Sequence, residues 1–233
     1  MGAMANLRLY HGSTEEDLIP TFGKGKPTND YGTGFYCTED LGLACEWACM
    51  TEAPGWVYEY TLNTDGLKML DLCRIEFTAL NWIAMLLNYR VFNTEGAEEK
   101  KNREYLISNF LPDLNGFDLI KGYRADDSYF RYAKRFFSNA MSLESLELSL
   151  KLGDLGVQTV LKSKRSFDKL TPVSCVKADY GTFRSKFVER DEKARTEFNE
   201  IDLSEPEKDE IFMRDIRREG WKDGDPRIPR DIS

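Results

Sequence analysis

The sequence contains a single histidine, His11. Chemistry built on histidine pairs, and most histidine-rich metal sites, is thereby excluded, and no metal is expected. The five cysteines (Cys37, Cys45, Cys49, Cys73, Cys175) are odd in number and include no Cys-x-x-Cys pair. Neither a disulfide framework nor a zinc knuckle is indicated. No run of about 18 apolar residues is long enough to cross a bilayer, and no apolar stretch follows a basic start. These absences predict a cytoplasmic protein in a reducing compartment, with no membrane contact. An excess of positive charge is missing too: 32 Lys and Arg stand against 40 Asp and Glu, a net charge of −8. That sign repels phosphate backbones, so broad nucleic-acid binding is disfavoured, and a basic partner would suit it.

What is present suits one sizeable core: 233 residues, 41% hydrophobic and 12% aromatic. Composition shifts after Cys175, where 29 of the remaining 58 residues are charged. The reading is a globular domain over 6–175 and a charged, mostly helical C-terminal extension over 176–233. Asp191–Glu200 suggests one exposed helix. A second has Ser204 as N-cap, Pro206 in its first turn and an apolar stripe of Ile211, Phe212 and Ile216 before Gly220. Either a solvated arm packed on its own domain or a partner-docking arm fits this extension. In the body, strands are expected at Leu7–Tyr10, Trp56–Leu62, Lys68–Leu72, Phe117–Lys121 and Val157–Leu161. Helices are expected at Phe77–Val91, Glu98–Phe110 and Ser142–Leu152. Without regular βαβ alternation, the fold class is α+β.

Three segments carry candidate chemistry. A strand ending in His11-Gly12-Ser13 presents an imidazole, a main-chain edge without a side chain and a hydroxyl at one point. Either an ordinary histidine at a strand end or a planar-ligand site fits. Tyr31-Gly32-Thr33-Gly34-Phe35-Tyr36 then leads into a helix, with Thr38 as expected N-cap and Glu39 and Asp40 in the first turn. Gly32 and Gly34 could cradle phosphate. Leu41, Ala44, Cys45 and Ala48 form the expected core stripe of that helix, which leaves Trp47 to one side. Trp47 and Tyr36 could sandwich a flat heteroaromatic ligand, or Trp47 could pack under a neighbouring loop. Finally, Gln158 sits near the start of a β-branched strand, where it satisfies a sheet edge or reaches a ligand hydroxyl.

Together these segments resemble the ADP-ribosyltransferase superfamily, in the branch that includes poly(ADP-ribose) polymerases and diphtheria toxin. More closely, the chain is similar to a bacterial domain-of-unknown-function family with an ADP-ribosyltransferase-like fold. The resemblance spans about residues 6–173. Its motifs are Leu9–Ser13, Asp30–Thr38, Ala44–Ala48, Val57–Tyr60, Asn88–Arg90, Gly122–Asp127, Gln158–Ser163 and Phe167–Leu170, in order.

The resemblance implies two small antiparallel sheets that form an NAD cleft, flanked by helices. NAD would be the substrate, held by His11, Gly12, Ser13, Gly34, Tyr36, Trp47 and Arg90. His11 would hold the nicotinamide-side ribose, Gly12 the carboxamide, and Tyr36 and Trp47 the nicotinamide ring. Arg90 would contact the pyrophosphate or pin its helix to the core. Where the superfamily carries a catalytic glutamate, this chain has Gln158, which can bind a hydroxyl but supplies no charge. Asp126 and Asp127 are the candidate carboxylates, or a plain hydrogen-bonded turn. The Glu-x-Glu pattern of arginine-specific members is absent, and chain elongation is not expected. The resulting expectation is a mono-ADP-ribosyltransferase acting on a macromolecule, a protein, as a bacterial toxin or effector checked by a small antitoxin or immunity partner. An NAD glycohydrolase, a nucleic-acid ADP-ribosyltransferase and an inactive NAD-binding module remain alternatives.

Overall fold

The computed structural model describes residues 6–51, 53–92, 96–125, 127–150, 152, 156–203 and 209–228. The first half of the chain forms β1 (Asn6–Ser13), β2 (Phe35–Cys37), α1 (Leu41–Ala48), β3 (Trp56–Asn63), β4 (Met69–Asp71), α2 (Ala79–Tyr89) and α3 (Ala97–Phe110). The second half forms β5 (Leu119–Tyr123), α4 (Asp127–Phe137), α5 (Leu143–Leu150), β6 (Val157–Leu161), α6 (Lys164–Phe167), β7 (Leu170–Lys177), α7 (Tyr180–Leu203) and α8 (Met213–Arg218). The fold is α+β with two small sheets.

The first sheet is antiparallel, in the order β1-β3-β7. Its central strand shows why it forms: Val57, Tyr58, Tyr60 and Leu62 are buried while Glu59 and Thr61 are less so, the near-alternation of a sheet with one face on the core. The second sheet runs β2-β6-β5-β4, and here the expectation of antiparallel pairing fails, because β4 and β5 are parallel. A parallel pair needs a long crossover, and α2 and α3 provide it. The two sheets are tied together where the Tyr10 N–H donates to the Thr38 carbonyl at 2.7 Å and the Thr38 N–H to the Tyr10 carbonyl at 2.9 Å. That bridge sets the end of β1 beside β2.

Two glycines let α1 lie against the first sheet at backbone distance. A Cβ on Gly12 would fall 2.1 Å from the Ala44 carbonyl oxygen, and one on Gly55 would fall 2.1 Å from that of Ala48. The helix starts later than expected. Asp40, not Thr38, is its N-cap, accepting from the Leu43 N–H at 3.0 Å, because the Thr38 main chain is committed to Tyr10. Its buried face is Leu43, Ala44, Cys45 and Ala48, and Leu41 is exposed.

The main core surrounds α2, whose residues Ala79 to Leu87 are all buried. α4 adds Tyr132, Ala133, Phe136 and Phe137 to it. The division expected after Cys175 falls inside β7. Beyond it, Phe198, Met213, Ile216, Trp221 and Ile228 are buried in the same cluster as α2. Asn81 and Tyr105 also bond to Asp223 and to the Trp221 carbonyl. The expected second helix is shorter than its stripe: α8 begins at Met213, and Ser204 and Pro206 lie outside the described residues. Among the described residues no helix is long and apolar enough to cross a membrane, and no group of three or more His, Cys, Asp or Glu could hold a metal ion.

Candidate functional site

A cleft of about 1050 Å³ opens where the end of β1 meets β2. β1 contributes His11, Gly12 and Ser13, and the Gly34–Tyr36 segment faces them. Trp47 comes from α1, Arg90 from the end of α2, Arg124 and Ala125 from the end of β5, and Gln158 from β6. The segment from Glu15 to Asp30 closes the remaining side.

His11 Nδ1 lies 2.6 Å from the Tyr36 carbonyl oxygen. A carbonyl only accepts, so Nδ1 carries the proton, and Nε2 of the neutral ring is left with its lone pair. Burial lowers the His11 pKa and outweighs the opposing hydrogen bond to Tyr36. The unfolded chain therefore takes up a proton before the folded chain does. Stability linked to the neutral ring is complete above the ordinary histidine value of 6.5 and is lost as the pH falls towards the folded value. Because His11 is the single histidine, thermal midpoints measured from about pH 7.5 down to 5 should fall in a component that His11→Gln removes. Equal pH slopes in the two proteins would show that the ring is not held neutral.

Gly12 lines the cleft, but its missing side chain faces α1. Its main chain is what it presents on the other side. Tyr10 turns its N–H and C=O away from β3, towards Thr38, and alternation along the strand turns those of Gly12 the same way. Gly34 is likewise needed for packing, since a Cβ there would lie 2.5 Å from Val160 Cγ1 on β6. The Ser13 hydroxyl accepts from the Glu15 N–H at 3.1 Å and keeps its proton to donate.

Tyr36 anchors the Tyr31–Gly34 loop. Its hydroxyl donates to the Gly32 carbonyl at 2.6 Å and accepts from the Tyr31 N–H at 3.0 Å. Burial raises its pKa far above the usual phenol value, so it stays neutral. Lys162 Nζ donates to the Tyr31 and Thr33 carbonyls, both at 2.6 Å, and fastens the same loop. Trp47 also lines the cleft, but one face of its ring is covered: the Arg124 guanidinium carbon stands 5.2 Å from the ring centroid. Behind them, Glu46 on α1 is paired with Arg190 on α7.

Gln158 is 3% exposed. Its amide nitrogen donates to Asp30 Oδ2 at 2.9 Å and to the Tyr123 carbonyl at 3.3 Å. Arg90 Nε donates to Asp30 Oδ1 at 2.9 Å, while its guanidinium lies over Phe130 at 4.7 Å. The Ala125 N–H adds a third bond to Asp30, at 3.0 Å. Arg90 thus faces the cleft and pins the end of α2 at once. Asp126 lies outside the described residues, and Asp127 opens α4 with its side chain outside them.

Sequence reasoning missed Asp30 and Arg124. Asp30 stood in a loop rich in Gly, Pro, Asn and Asp, where an aspartate reads as turn chemistry. Its place two residues before Gly32, within the Asp30–Thr38 motif, was the available signal.

Residues 7–171 match the model of a protein family described as "Protein of unknown function (DUF3990)". No curated protein and no solved structure matches the chain.

Proposed function

The chain belongs to the DUF3990 family, and for it we propose NAD-dependent transfer of ADP-ribose to a macromolecular acceptor, a protein, with release of nicotinamide. One observation carries the reading. His11, Gly12, Ser13, Gly34, Tyr36, Trp47, Arg90 and Gln158, scattered from position 11 to position 158, all line one cleft. Its volume suits a dinucleotide, being at the upper end of the roughly 300–1,000 Å³ of small-molecule pockets.

The cleft offers fitting groups to the nicotinamide riboside and the diphosphate of NAD. The N–H and C=O of Gly12 suit the acceptor and donor of a carboxamide. Tyr36 offers a ring for stacking, and His11 Nε2 accepts from a ribose hydroxyl. Lys24, Lys26 and Arg124 suit a diphosphate. Catalysis here is positioning and electrostatic stabilisation, with no covalent enzyme intermediate.

The test is incubation of the full chain with NAD labelled on its adenylate side, with and without cell lysate, following nicotinamide release. Release with label on protein is the expected result. Label on nucleic acid would change the acceptor class. Free ADP-ribose as the only product would replace transfer by hydrolysis. NAD binding without release would reduce the cleft to a binding module.

A further inference from the structure

We infer that Asp30 is the catalytic carboxylate of this cleft, and that Gln158 and Arg90 are positioning residues that aim it. The inference rests on the ADP-ribosyl reading and deepens it. In that reaction the C1′–N bond of the nicotinamide riboside breaks, and its electron pair goes to the pyridinium nitrogen, which leaves as neutral nicotinamide. Positive charge spreads over C1′ and the ribose ring oxygen. A lone pair of the acceptor then forms the new bond to C1′, and the acceptor's proton passes to water. An anion beside C1′ stabilises this passage, and a neutral amide cannot supply it.

Gln158 is that neutral amide, and it is hydrogen-bonded to a carboxylate. Its Nε2 donates to Asp30 Oδ2 at 2.9 Å, so the charge missing at position 158 stands one hydrogen bond away. Arg90 Nε and the Ala125 N–H fix the two oxygens further, at 2.9 and 3.0 Å. These are three of the roughly four hydrogen bonds that a carboxylate accepts, which leaves one for a ribose hydroxyl. Asp30 is 5% exposed and still forms part of the cleft wall. Among the described residues, the other carboxylates lining the cleft, Glu15 and Asp17, lie on an exposed loop, where water weakens their field. Burial of the Asp30 charge is compensated by the arginine beside it. A structural ion pair needs neither a place on the cleft wall nor an amide aimed at it from a sheet strand.

The experiment exchanges the two groups. Asp30→Asn removes the charge at nearly constant shape. It is expected to lower kcat for nicotinamide release at least about 100-fold, with NAD binding by calorimetry changed less than about fivefold. Asp30→Asn/Gln158→Glu restores one carboxylate across the same hydrogen bond with its polarity reversed, and should regain at least about tenfold of that loss. A purely structural Asp30 would show loss of binding or of thermal stability and no rescue. Asp30→Asn with turnover within about threefold of the wild type would overturn the inference. So would a folded double variant with no gain, or failure of both variants to fold. Absence of nicotinamide release by the wild-type chain would instead sink the ADP-ribosyl reading, and the inference with it.

Discussion

Replacing His11 with alanine is expected to lower kcat/KM for NAD about 100-fold or more while the protein stays folded. The ring is fixed by its Nδ1–H bond to the Tyr36 carbonyl at 2.6 Å, and burial holds it neutral. Its Nε2 is therefore a preset acceptor. Alanine would leave two groups unpaired at once, the ligand hydroxyl and the Tyr36 carbonyl. Each unpaired buried group costs about 1–3 kcal/mol, and about 1.4 kcal/mol corresponds to a tenfold change. Part of the cost falls on the placement of Tyr36 and the remainder on the bound substrate. Nicotinamide release measured against NAD concentration, beside a thermal unfolding curve, separates the two. Turnover within about threefold of the wild type would remove His11 from the site.

Gly12→Ala should instead strike the fold. The added methyl would lie 2.1 Å from the Ala44 carbonyl oxygen and 2.6 Å from the Ala48 N–H nitrogen, both main-chain atoms of α1. No rotamer relieves such a contact, so α1 must lift off the first sheet. Overpacking costs about 1–3 kcal/mol when side chains can yield, and backbone atoms yield less, so about 3 kcal/mol is expected. In a chain of this length that corresponds to a fall of roughly 6–12 °C in the thermal midpoint. Trp47 rides on the same helix, so the fraction that folds should also bind NAD more weakly. Gly181→Ala on α7 is the control, since its methyl would meet only Asp179 Oδ1, at 3.7 Å. It should leave stability unchanged or raise it by up to about 1 kcal/mol. A midpoint drop below about 2 °C for Gly12→Ala would show that the helix slides aside freely.

The α+β class was legible because its signals are local. Trp56–Leu62 alternates with period two, and Phe77–Val91 is a long apolar run. Elements whose signal is not local were lost. β7 is an exposed edge strand with Pro172 in it, so it shows neither alternation nor burial. α4 carries Tyr132, Ala133, Phe136 and Phe137 at helical spacing, a face that the sequence does show, soon after the Asp126-Asp127 pair. Charge density reports the outer face of the tail, while Phe198, Met213, Ile216, Trp221 and Ile228 are buried in the main core, as in an arm packed on its own domain.

The sequence by itself determined six residues of the cleft wall, His11, Gly12, Tyr36, Trp47, Arg90 and Gln158, through the family resemblance that their motifs carry when taken in order. Only the tertiary structure decided where the charge lies. The bond from Gln158 to Asp30 joins positions 128 apart, and it exists because Tyr36 and Lys162 fasten the Tyr31–Gly34 loop against β6. Such closure is the sum of many small contacts across the two sheets, and no stretch of sequence holds it locally.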